Sequence, residues 1–328
     1  MREYCPVFVL TGRMFELVSD IMEIIGRLDK FDNLNDMPVL RKNNKIRSIH
    51  SSLVIENNSF NIDEVRDIIS GREVIGPINE IREVKNIYTL YEKMYELNPY
   101  IVSDLLRSHR ILLSGIDKEN GKFRLGNEGV FDGENCIFIA PPPHMVNILI
   151  DNLFKYINDS YEFLHPLILS SIFHYEFVFI HPFKDGNGRI ARFWQTLLLS
   201  KWKLIFGFLP IESQIHKYQN KYYEVINECN NKGECTLFIE FMLEMILKTL
   251  EDLKETLFND NKNFYVKKIL SSIEVGEELS AYEIMERLGI KSKENFRKNY
   301  LNPSIENGYI KRTLPNRMTS KNQKYYKI

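Results

Sequence analysis

The chain has 328 residues, of which 44% are hydrophobic and 27% are charged, with 43 basic against 44 acidic side chains. This length suits two or three domains with a buried core, and the composition excludes a disordered or collagen-like chain. The net charge of −1 provides no overall attraction to nucleic acid or to an anionic membrane. No apolar run approaches the ~20 residues of a spanning helix, and residues 1–10 lack a secretory signal pattern. We therefore expect a cytoplasmic protein that does not contact a membrane.

The charge is unevenly distributed along the chain. Residues 261–328 hold 14 basic and 7 acidic side chains, a net of +7, whereas the remainder carries a net of −8. A basic tail on an acidic body indicates two functions on one chain. The polar run at 259–263 predicts the junction, so we expect a tail domain over 258–328.

The body is predicted to be mostly helical, with one exception. Glycines and short β-branched or aromatic pieces over 123–139, followed by three prolines, predict a small β-hairpin. Apolar residues then recur at helical spacing over 146–157. Residues 163–180 are apolar on almost every face, which is typical of a helix buried in a bundle, and Pro166 fits only its first turn. Further helices are predicted from about residue 189, at 218–228 and at 236–251.

The segment 181–192 joins the two central helices, and its sequence is HPFKDGNGRIAR. Pro182 cannot continue the first helix, which should therefore end near residue 181. Gly186 and Gly188 allow a tight turn and the close approach of a ligand to the backbone. The next helix begins with free amide groups and a positive dipole end, which together favour a phosphate group.

Charged and titratable side chains make this loop a candidate catalytic site. Arg189 and Arg192 share one helix face, and their guanidinium groups match phosphate oxygens. Asp185 is a carboxylate at the edge of the predicted phosphate site, where a cation such as Mg²⁺ would bridge it to a nucleotide. His181 is able to take a proton near neutral pH. A single histidine at the end of an apolar helix is usually structural, but the combination favours phosphate chemistry. The pattern is not that of a P-loop.

These residues resemble the signature of the Fic family, H-P-F-x-[DE]-G-N-G-R-x-x-R, at every fixed position. The resemblance covers about residues 45–250 and includes, ahead of the loop, 106–113, Phe123 and Arg124, 137–143 and 174–177. It implies a mostly helical bundle with a small β-hairpin flap. It also implies transfer of AMP from ATP to a Tyr, Thr or Ser hydroxyl of a target protein, with Mg²⁺.

The resemblance further implies a role for each loop residue. His181 would deprotonate the target hydroxyl, and Asp185 would hold Mg²⁺ on the α- and β-phosphates. The remaining fixed residues would cradle the phosphates and neutralise their charge: Gly186, Asn187, Gly188, Arg189 and Arg192. The hairpin at about 129–139 resembles the family's flap, on which a target protein docks as an added strand. Gly188 stands where the kinase-like relative Doc has lysine, so it favours nucleotidyl transfer.

A short motif upstream suggests autoinhibition. Ser52 and Glu56 are four residues apart, which by itself indicates no more than helix capping and a solvated glutamate. In a Fic protein, Ser52, Glu56 and Asn57 match the inhibitory motif [ST]-x-x-x-E-[GN]. We place it in a helix near 48–57 within an N-terminal region, 1–95, ahead of a catalytic core at 96–257. We hypothesise that Glu56 pairs with Arg192 and leaves ATP in an unproductive pose.

The basic tail is predicted to begin with three helices and to end with two strands. The helices are expected at 264–273, from Ser280 to Gly289 and at 293–301, and the strands at 309–310 and 325–326. This order is typical of a winged-helix module, similar to those on some Fic proteins. It predicts DNA binding by the third helix and a basic wing. A protein-docking or dimerising module is the alternative, since the third helix has few side chains that read bases.

Three functions remain open at this point. The first is a protein adenylyltransferase that is auto-inhibited by Glu56, with a target protein on its flap. The second is a DNA-binding regulator whose Fic core senses ATP or is catalytically idle. The third is a Fic enzyme that mainly removes AMP or uses another nucleotide or diphosphate donor. The intact loop favours an enzyme, because binding alone would not need His181. A homodimer is a further partner that we consider.

Overall fold

The computed structural model places two compact units along the chain, Met1–Glu251 and Asp252–Ile328. The residues that it describes are 4–28, 38–132, 135–315, 317 and 320–328, without the side chains of 38, 39, 130–132, 135–137 and 257–264. In this described part, no helix combines the length and the apolar character needed to cross a membrane.

The first unit is a helical bundle with one pair of strands. Its helices are α1 (Gly12–Leu28), α2 (Pro38–Ile55), α3 (Ile62–Ile69), α4 (Ile78–Glu92), α5 (Val102–Leu112), α6 (Pro143–Ser160), α7 (Pro166–Ile180), α8 (Asn187–Trp202), α9 (Ile211–Lys217), α10 (Gln219–Lys232) and the first part of α11 (Thr236–Ser271). Strands β1 (Gly129–Asp132) and β2 (Asn135–Ile139) pair antiparallel, with a bulge between Val130 and Phe131. The predicted fold class, mostly α with a small hairpin, is confirmed.

Helices α7 and α8 form the centre of this bundle. Both are buried on almost every face, and for α7 this confirms the prediction from the apolar pattern of residues 163–180. The ring of Phe173 on α7 stacks on that of Trp194 on α8, with centroids 6.1 Å apart. The helices therefore hold both ends of the connecting loop at fixed positions, which is a requirement for a precise site.

The predicted interruption at residues 259–263 is wrong. Helix α11 runs without a break from Thr236 to Ser271, where two helices had been expected. The polar run contains no glycine or proline, and its asparagine, aspartate and lysine residues lower helix stability only slightly. The boundary between the two compact units falls inside this helix, after Glu251.

The second unit combines short helices with a three-stranded sheet. After α11 come β3 (Leu279–Ser280), α12 (Ala281–Arg287), α13 (Lys293–Asn295), a π-helical segment (Phe296–Leu301), α14 (Asn302–Glu306), β4 (Ile310–Arg312) and β5 (Lys324–Lys327). The sheet has the order β3-β5-β4 and is antiparallel throughout.

Two details of the second unit differ from the sequence predictions. The third helix was expected to end before Pro303, but α14 includes this proline in its first turn, after the π-helical segment has interrupted the regular hydrogen-bond ladder. Strand β3 was not predicted, because two residues are too few to show alternation. Ser280 caps α12 as expected, and its side chain accepts a hydrogen bond from the amide of Glu283.

Candidate active site

The loop 181–192 has an unusual backbone at two positions. His181 ends α7 with φ 51°, in the left-handed region that few non-glycine residues adopt. Gly186 precedes α8 with φ 79°. Asn187 closes the loop through its side chain, which accepts from the Phe183 amide at 2.9 Å and donates to the Phe183 carbonyl at 2.7 Å. The Asn187 amide group thus fixes the loop's shape, and its backbone N–H is the group it can offer a phosphate.

Arg124 fastens the start of the loop from outside. This buried guanidinium donates from Nε to the carbonyl of His181 at 2.7 Å and from Nη1 to that of Gly126 at 2.8 Å. It also reaches the carbonyl of Pro141. The Arg124 amide donates to the carbonyl of Pro182 at 2.9 Å. Sequence reasoning noted Arg124 only as part of the resemblance and missed this role.

His109 supports the other side of the loop. Its ring stacks on Phe183 with centroids 3.7 Å apart. Its Nδ1 accepts from the Gly121 amide at 2.8 Å, so Nε2 carries the proton and donates to the carbonyl of Asp185 at 2.9 Å. Burial lowers the pKa of His109. This histidine is therefore neutral and structural.

His181 lines a cavity beside the loop and is suited to accept a proton. Burial lowers its pKa below the ordinary value of 6.5, so the ring is neutral at neutral pH. Its Nδ1 is buried, and a backbone hydrogen bond to Val178 offsets part of the effect of burial on the pKa of His181. A neutral imidazole next to a cavity meets the first requirement for a general base.

Arg192 is bound by the motif that we identified as inhibitory. Its Nη2 donates to Glu56 Oε1 at 2.7 Å and to the carbonyl of Ser52 at 3.0 Å, and its Nε donates to Ser52 Oγ at 3.1 Å. The Arg192 side chain is 1% exposed and that of Glu56 is 31% exposed. Burial acts to lower the pKa of Arg192, but the Glu56 carboxylate, together with Tyr222 and Tyr223, outweighs this effect, so that the pKa of Arg192 is raised. The structure thus brings together Ser52, Glu56 and Arg192, and it contains the hypothesised pair of Glu56 and Arg192.

Glu56 lies one residue beyond helix α2 rather than on it. The helix ends at Ile55, and Asn57 adopts φ 65°, the left-handed conformation common just after a helix. The amide of Asn58 then bonds to the carbonyl of Leu53 at 3.1 Å. The requirement for Gly or Asn after the glutamate therefore has a physical cause, since these residues adopt this conformation at the lowest cost.

Helix α2 is anchored to α9 and α10 by polar contacts. Ser48 donates to the buried carboxylate of Glu212 at 2.8 Å, and Ser51 and Ser213 share a hydrogen bond of 3.0 Å. The side chain of Gln219 donates to the carbonyl of Ile55 at 3.3 Å. These contacts fix the end of α2, and hence Glu56, against the loop.

Arg189 lies between two carboxylates. Its Nη2 donates to both oxygens of Asp185 at 2.9 and 3.0 Å, and its Nη1 donates to Glu83 Oε1 at 3.0 Å. The Nε of Arg189 is buried and has no hydrogen-bond partner among the described residues. Glu83 was missed by the sequence analysis, because nothing in the pattern of α4 distinguishes it from its neighbouring glutamates.

Asp185 is suited to bind a cation whose other ligands would come from a nucleotide and water. Its side chain is 53% exposed, and no cluster of three or more potential metal ligands occurs in the part of the chain that is described. Mg²⁺ is commonly bound by one or two carboxylates together with phosphates and water, so a single exposed carboxylate suits it. In this structure the same carboxylate is engaged by Arg189.

The cavity beside the loop has a volume of about 710 Å³, within the range of small-ligand sites. It brings together residues from the flap, from the loop, from α10 and from the turn at Glu56 and Asn57, which we call the inhibitory turn after the sequence motif. These residues include Phe138, Glu56, His181, Gly188, Arg192 and Tyr223. Asp185, Gly186 and Arg189 belong to the loop but do not line this cavity. The residues predicted to bind phosphate or its cation therefore divide into those that line this cavity and those that do not.

The comparisons with known proteins agree with this geometry. Residues 99–199 match the model of the Fic/DOC family, and residues 265–327 match that of the C-terminal domain of Fic-like "filamentation induced by cAMP" proteins. A crystal structure of a Fic family protein from Desulfovibrio desulfuricans is 39% identical and aligns over 99% of this chain and 98% of its own, with a TM-score of 0.74. The chain belongs to the Fic family.

More distant Fic proteins match parts of the chain. The protein adenylyltransferase Fic of Aedes aegypti is 30% identical over 216 residues, which are 63% of this chain and 41% of the relative. The chain thus spans about two fifths of the length of the curated relatives it matches. Fic-1 of Caenorhabditis elegans is 20% identical with a TM-score of 0.61 over 74% of this chain and 73% of its own, a similarity of fold.

Proposed function

We propose that this Fic protein is a protein adenylyltransferase that uses ATP with Mg²⁺ and is auto-inhibited by Glu56. The observation that carries the proposal is that His181, neutral because burial lowers its pKa, lines the same cavity as Arg192 and Gly188. A proton acceptor thus lies beside groups that bind polyphosphate. The names of the curated relatives support the same activity.

The reaction follows from this arrangement. The oxygen of a target hydroxyl attacks the α-phosphorus of ATP, the bond from the α-phosphorus to the bridging oxygen breaks, and pyrophosphate leaves. The hydroxyl proton passes to the neutral ring of His181. Arg192, with the backbone amides at the start of α8, stabilises charge on the phosphates. Asp185 would hold Mg²⁺, which supplies further neutralisation of that charge.

Autoinhibition is supported by the position of Glu56. Its carboxylate takes the Nη2 group of Arg192 that a terminal phosphate would need. ATP can therefore bind productively only after Glu56 moves away. Because the Glu56 carboxylate and a phosphate would compete for the same guanidinium group, the contact seen here is sufficient to explain inhibition. No rearrangement of the rest of the bundle is needed.

Incorporation of labelled AMP tests this proposal. The full chain with Glu56→Gly is incubated with ATP labelled at the α-phosphate and Mg²⁺, beside the same variant carrying His181→Ala. We expect label in protein only with intact His181, and more of it than with the wild-type chain. Glu73→Gly, at an exposed position in the loop between α3 and α4, is the matched control and should behave like the wild type. Absence of label from every variant, with candidate target proteins added, would refute adenylyl transfer.

The flap is the proposed docking site for the target protein. Ile139, at the end of β2, is 75% exposed, and the neighbouring Phe138 lines the cavity and packs on Phe179 with ring centroids 5.3 Å apart. A short strand pair beside the catalytic cavity can add a third strand from a target segment. Gly133, together with the side chains of residues 130–132 and 135–137, lies outside what the structure describes.

A second function, duplex DNA binding, is favoured by the charge of the second unit. Three cations on the surface of α13 and the π-helical segment are exposed and form no ion pair among the described residues: Lys293, Arg297 and Lys298. They line a groove of about 620 Å³ together with Asn302, Pro303 and the carboxylates of Glu294 and Glu306. The strands β4 and β5 add the exposed Lys311 and Lys324. Unpaired cations on one helix are complementary to a phosphate backbone.

Salt-dependent binding tests this second function. The full chain is titrated into a fluorescent duplex at several salt concentrations, and anisotropy is measured. We expect affinity to fall with salt, and replacement of Lys293, Arg297 and Lys298 by alanine to weaken binding about 10-fold or more. The control replaces three exposed lysines of the first unit: Lys42, Lys118 and Lys122. No binding, or equal loss in both variants, would favour a protein-docking module instead.

A further inference from the structure

Glu83 connects the catalytic loop to the chain that follows the inhibitory turn. Its Oε1 accepts from Arg189 Nη1 at 3.0 Å, and its Oε2 accepts from Asn58 Nδ2 at 3.0 Å. The side chain of Glu83 is 20% exposed and that of Arg189 is 3% exposed. Both oxygens are thus engaged, and Glu83 is held in one orientation from α4.

Asp185 has two roles that conflict. In this structure both of its oxygens bind Arg189. According to the proposed function, the same oxygens are needed for Mg²⁺ when the nucleotide is present. If Asp185 left Arg189 for a metal ion, the buried charge of Arg189 would remain without a partner. This carries a large desolvation penalty unless a second carboxylate stays in contact with the arginine.

We propose that Glu83 is a positioning residue that retains Arg189 and thereby releases Asp185 to the nucleotide-bound Mg²⁺. This inference rests on the proposed function and identifies how one loop serves both an arginine and a cation. Asn58 contributes by fixing Oε2, the oxygen of Glu83 that does not bind Arg189. Without the Glu83 charge, Arg189 depends on Asp185 alone, so more Mg²⁺ is needed to draw Asp185 away.

The Mg²⁺ dependence of nucleotide binding provides a test that does not require turnover. The parent protein is the full chain with Glu56→Gly and His181→Ala, and a fluorescent ATP analogue reports binding by anisotropy as Mg²⁺ is raised. We expect Glu83→Gln in this parent to raise the half-saturating Mg²⁺ concentration about 10-fold, the size typical for loss of a residue that orients a metal ligand. Binding at saturating Mg²⁺ should return close to the parent value.

Glu80 offers a matched control on the same helix. It lies one turn before Glu83 and accepts from the amide and hydroxyl of Ser59, both at 2.7 Å, so it grips the same segment but not Arg189. Glu80→Gln should leave the Mg²⁺ midpoint unchanged. An unchanged midpoint in Glu83→Gln, or an equal shift in both variants, would overturn the proposal.

A second variant guards against loss of folding. Glu83→Asp keeps the charge but withdraws it from Arg189, and we expect a smaller shift of the Mg²⁺ midpoint in the same direction; no shift would again overturn the proposal. The binding assay is separate from AMP transfer. Nucleotide binding with the expected Mg²⁺ shift but no labelled protein would refute the adenylyltransferase and leave the role of Glu83 intact.

Discussion

The Glu56 carboxylate lies directly over Gly188, so that a Cβ at residue 188 would overlap Oε1. The same Cβ would lie 3.1 Å from Arg192 Nη1. A side chain at residue 188 would therefore displace the Glu56 carboxylate from the position that it occupies here. The turn at Glu56 and the loop 181–192 are in direct contact at this glycine.

Replacement of Gly188 should test the contact with Glu56 through a change in the free energy of unfolding. Gly188→Ala is expected to lower the free energy of unfolding by about 1–3 kcal/mol, because the methyl group and Glu56 cannot occupy the same space. In the Glu56→Gly background the same substitution should cost clearly less. Chemical denaturation of the four proteins gives the coupling energy directly. Equal costs in both backgrounds would show that Glu56 does not occupy this position in solution.

Loss of the ion pair between Glu56 and Arg192 should lower the stability of the protein and favour the binding of ATP. Glu56→Gln leaves a buried guanidinium without its carboxylate, and we expect the free energy of unfolding to fall by about 1–3 kcal/mol. ATP with Mg²⁺ should then raise the melting temperature of the variant more than that of the wild type, because phosphate replaces the lost carboxylate. Differential scanning fluorimetry measures both effects. An equal ATP shift in the two proteins would contradict the competition.

The sequence was most informative where one residue type is needed at each position. The loop 181–192 was identified because histidine, glycine and arginine stand there in a fixed pattern, and the upstream motif was identified from the spacing of Ser52, Glu56 and Asn57. Glu83 was not found, since its role depends on where α4 lies against α8, which no local pattern records. The same reason explains the missed role of Arg124, whose partners are all backbone carbonyls.

Helix boundaries could likewise be predicted only where a local pattern determines them. The buried helix α7 was predicted correctly because it is apolar on every side and starts at Pro166. The continuity of α11 was missed because a polar run resembles a linker when only composition is considered. A long helix crosses such a run whenever no glycine or proline interrupts it and packing on either side supports it.

The lowered pKa of His181 predicts a particular pH dependence. A general base works when deprotonated, so kcat/KM should rise with pH up to the pKa of His181 and stay level above it. Burial lowers this pKa below 6.5, which places the rising limb on the acidic side of 6.5. Steady-state rates of the Glu56→Gly variant at constant ionic strength test this. A rising limb centred above 6.5 would contradict the burial of the neutral ring.

Arg124 should matter for catalysis without touching the nucleotide. Arg124→Ala removes the donors to the carbonyls of His181 and Gly126, so the left-handed turn at His181 loses its external support. We expect the rate of AMP transfer in the Glu56→Gly background to fall about 100-fold, through misplacement of the general base.

Arg124→Lys provides the comparison, since a lysine keeps the charge but cannot reach several carbonyls with a planar fork. It should lose most of the same activity. Full activity in either variant would show that the bundle alone positions His181.

A crystal structure of the Glu56→Gly protein with Mg²⁺ and a non-hydrolysable ATP analogue is the most direct test of the account. We predict the polyphosphate against the amides at the start of α8, Arg192 on a terminal phosphate, and the His181 ring facing the α-phosphate. A loop without bound phosphate, or a His181 ring turned into the apolar core, would contradict the assignment of this loop as the catalytic site.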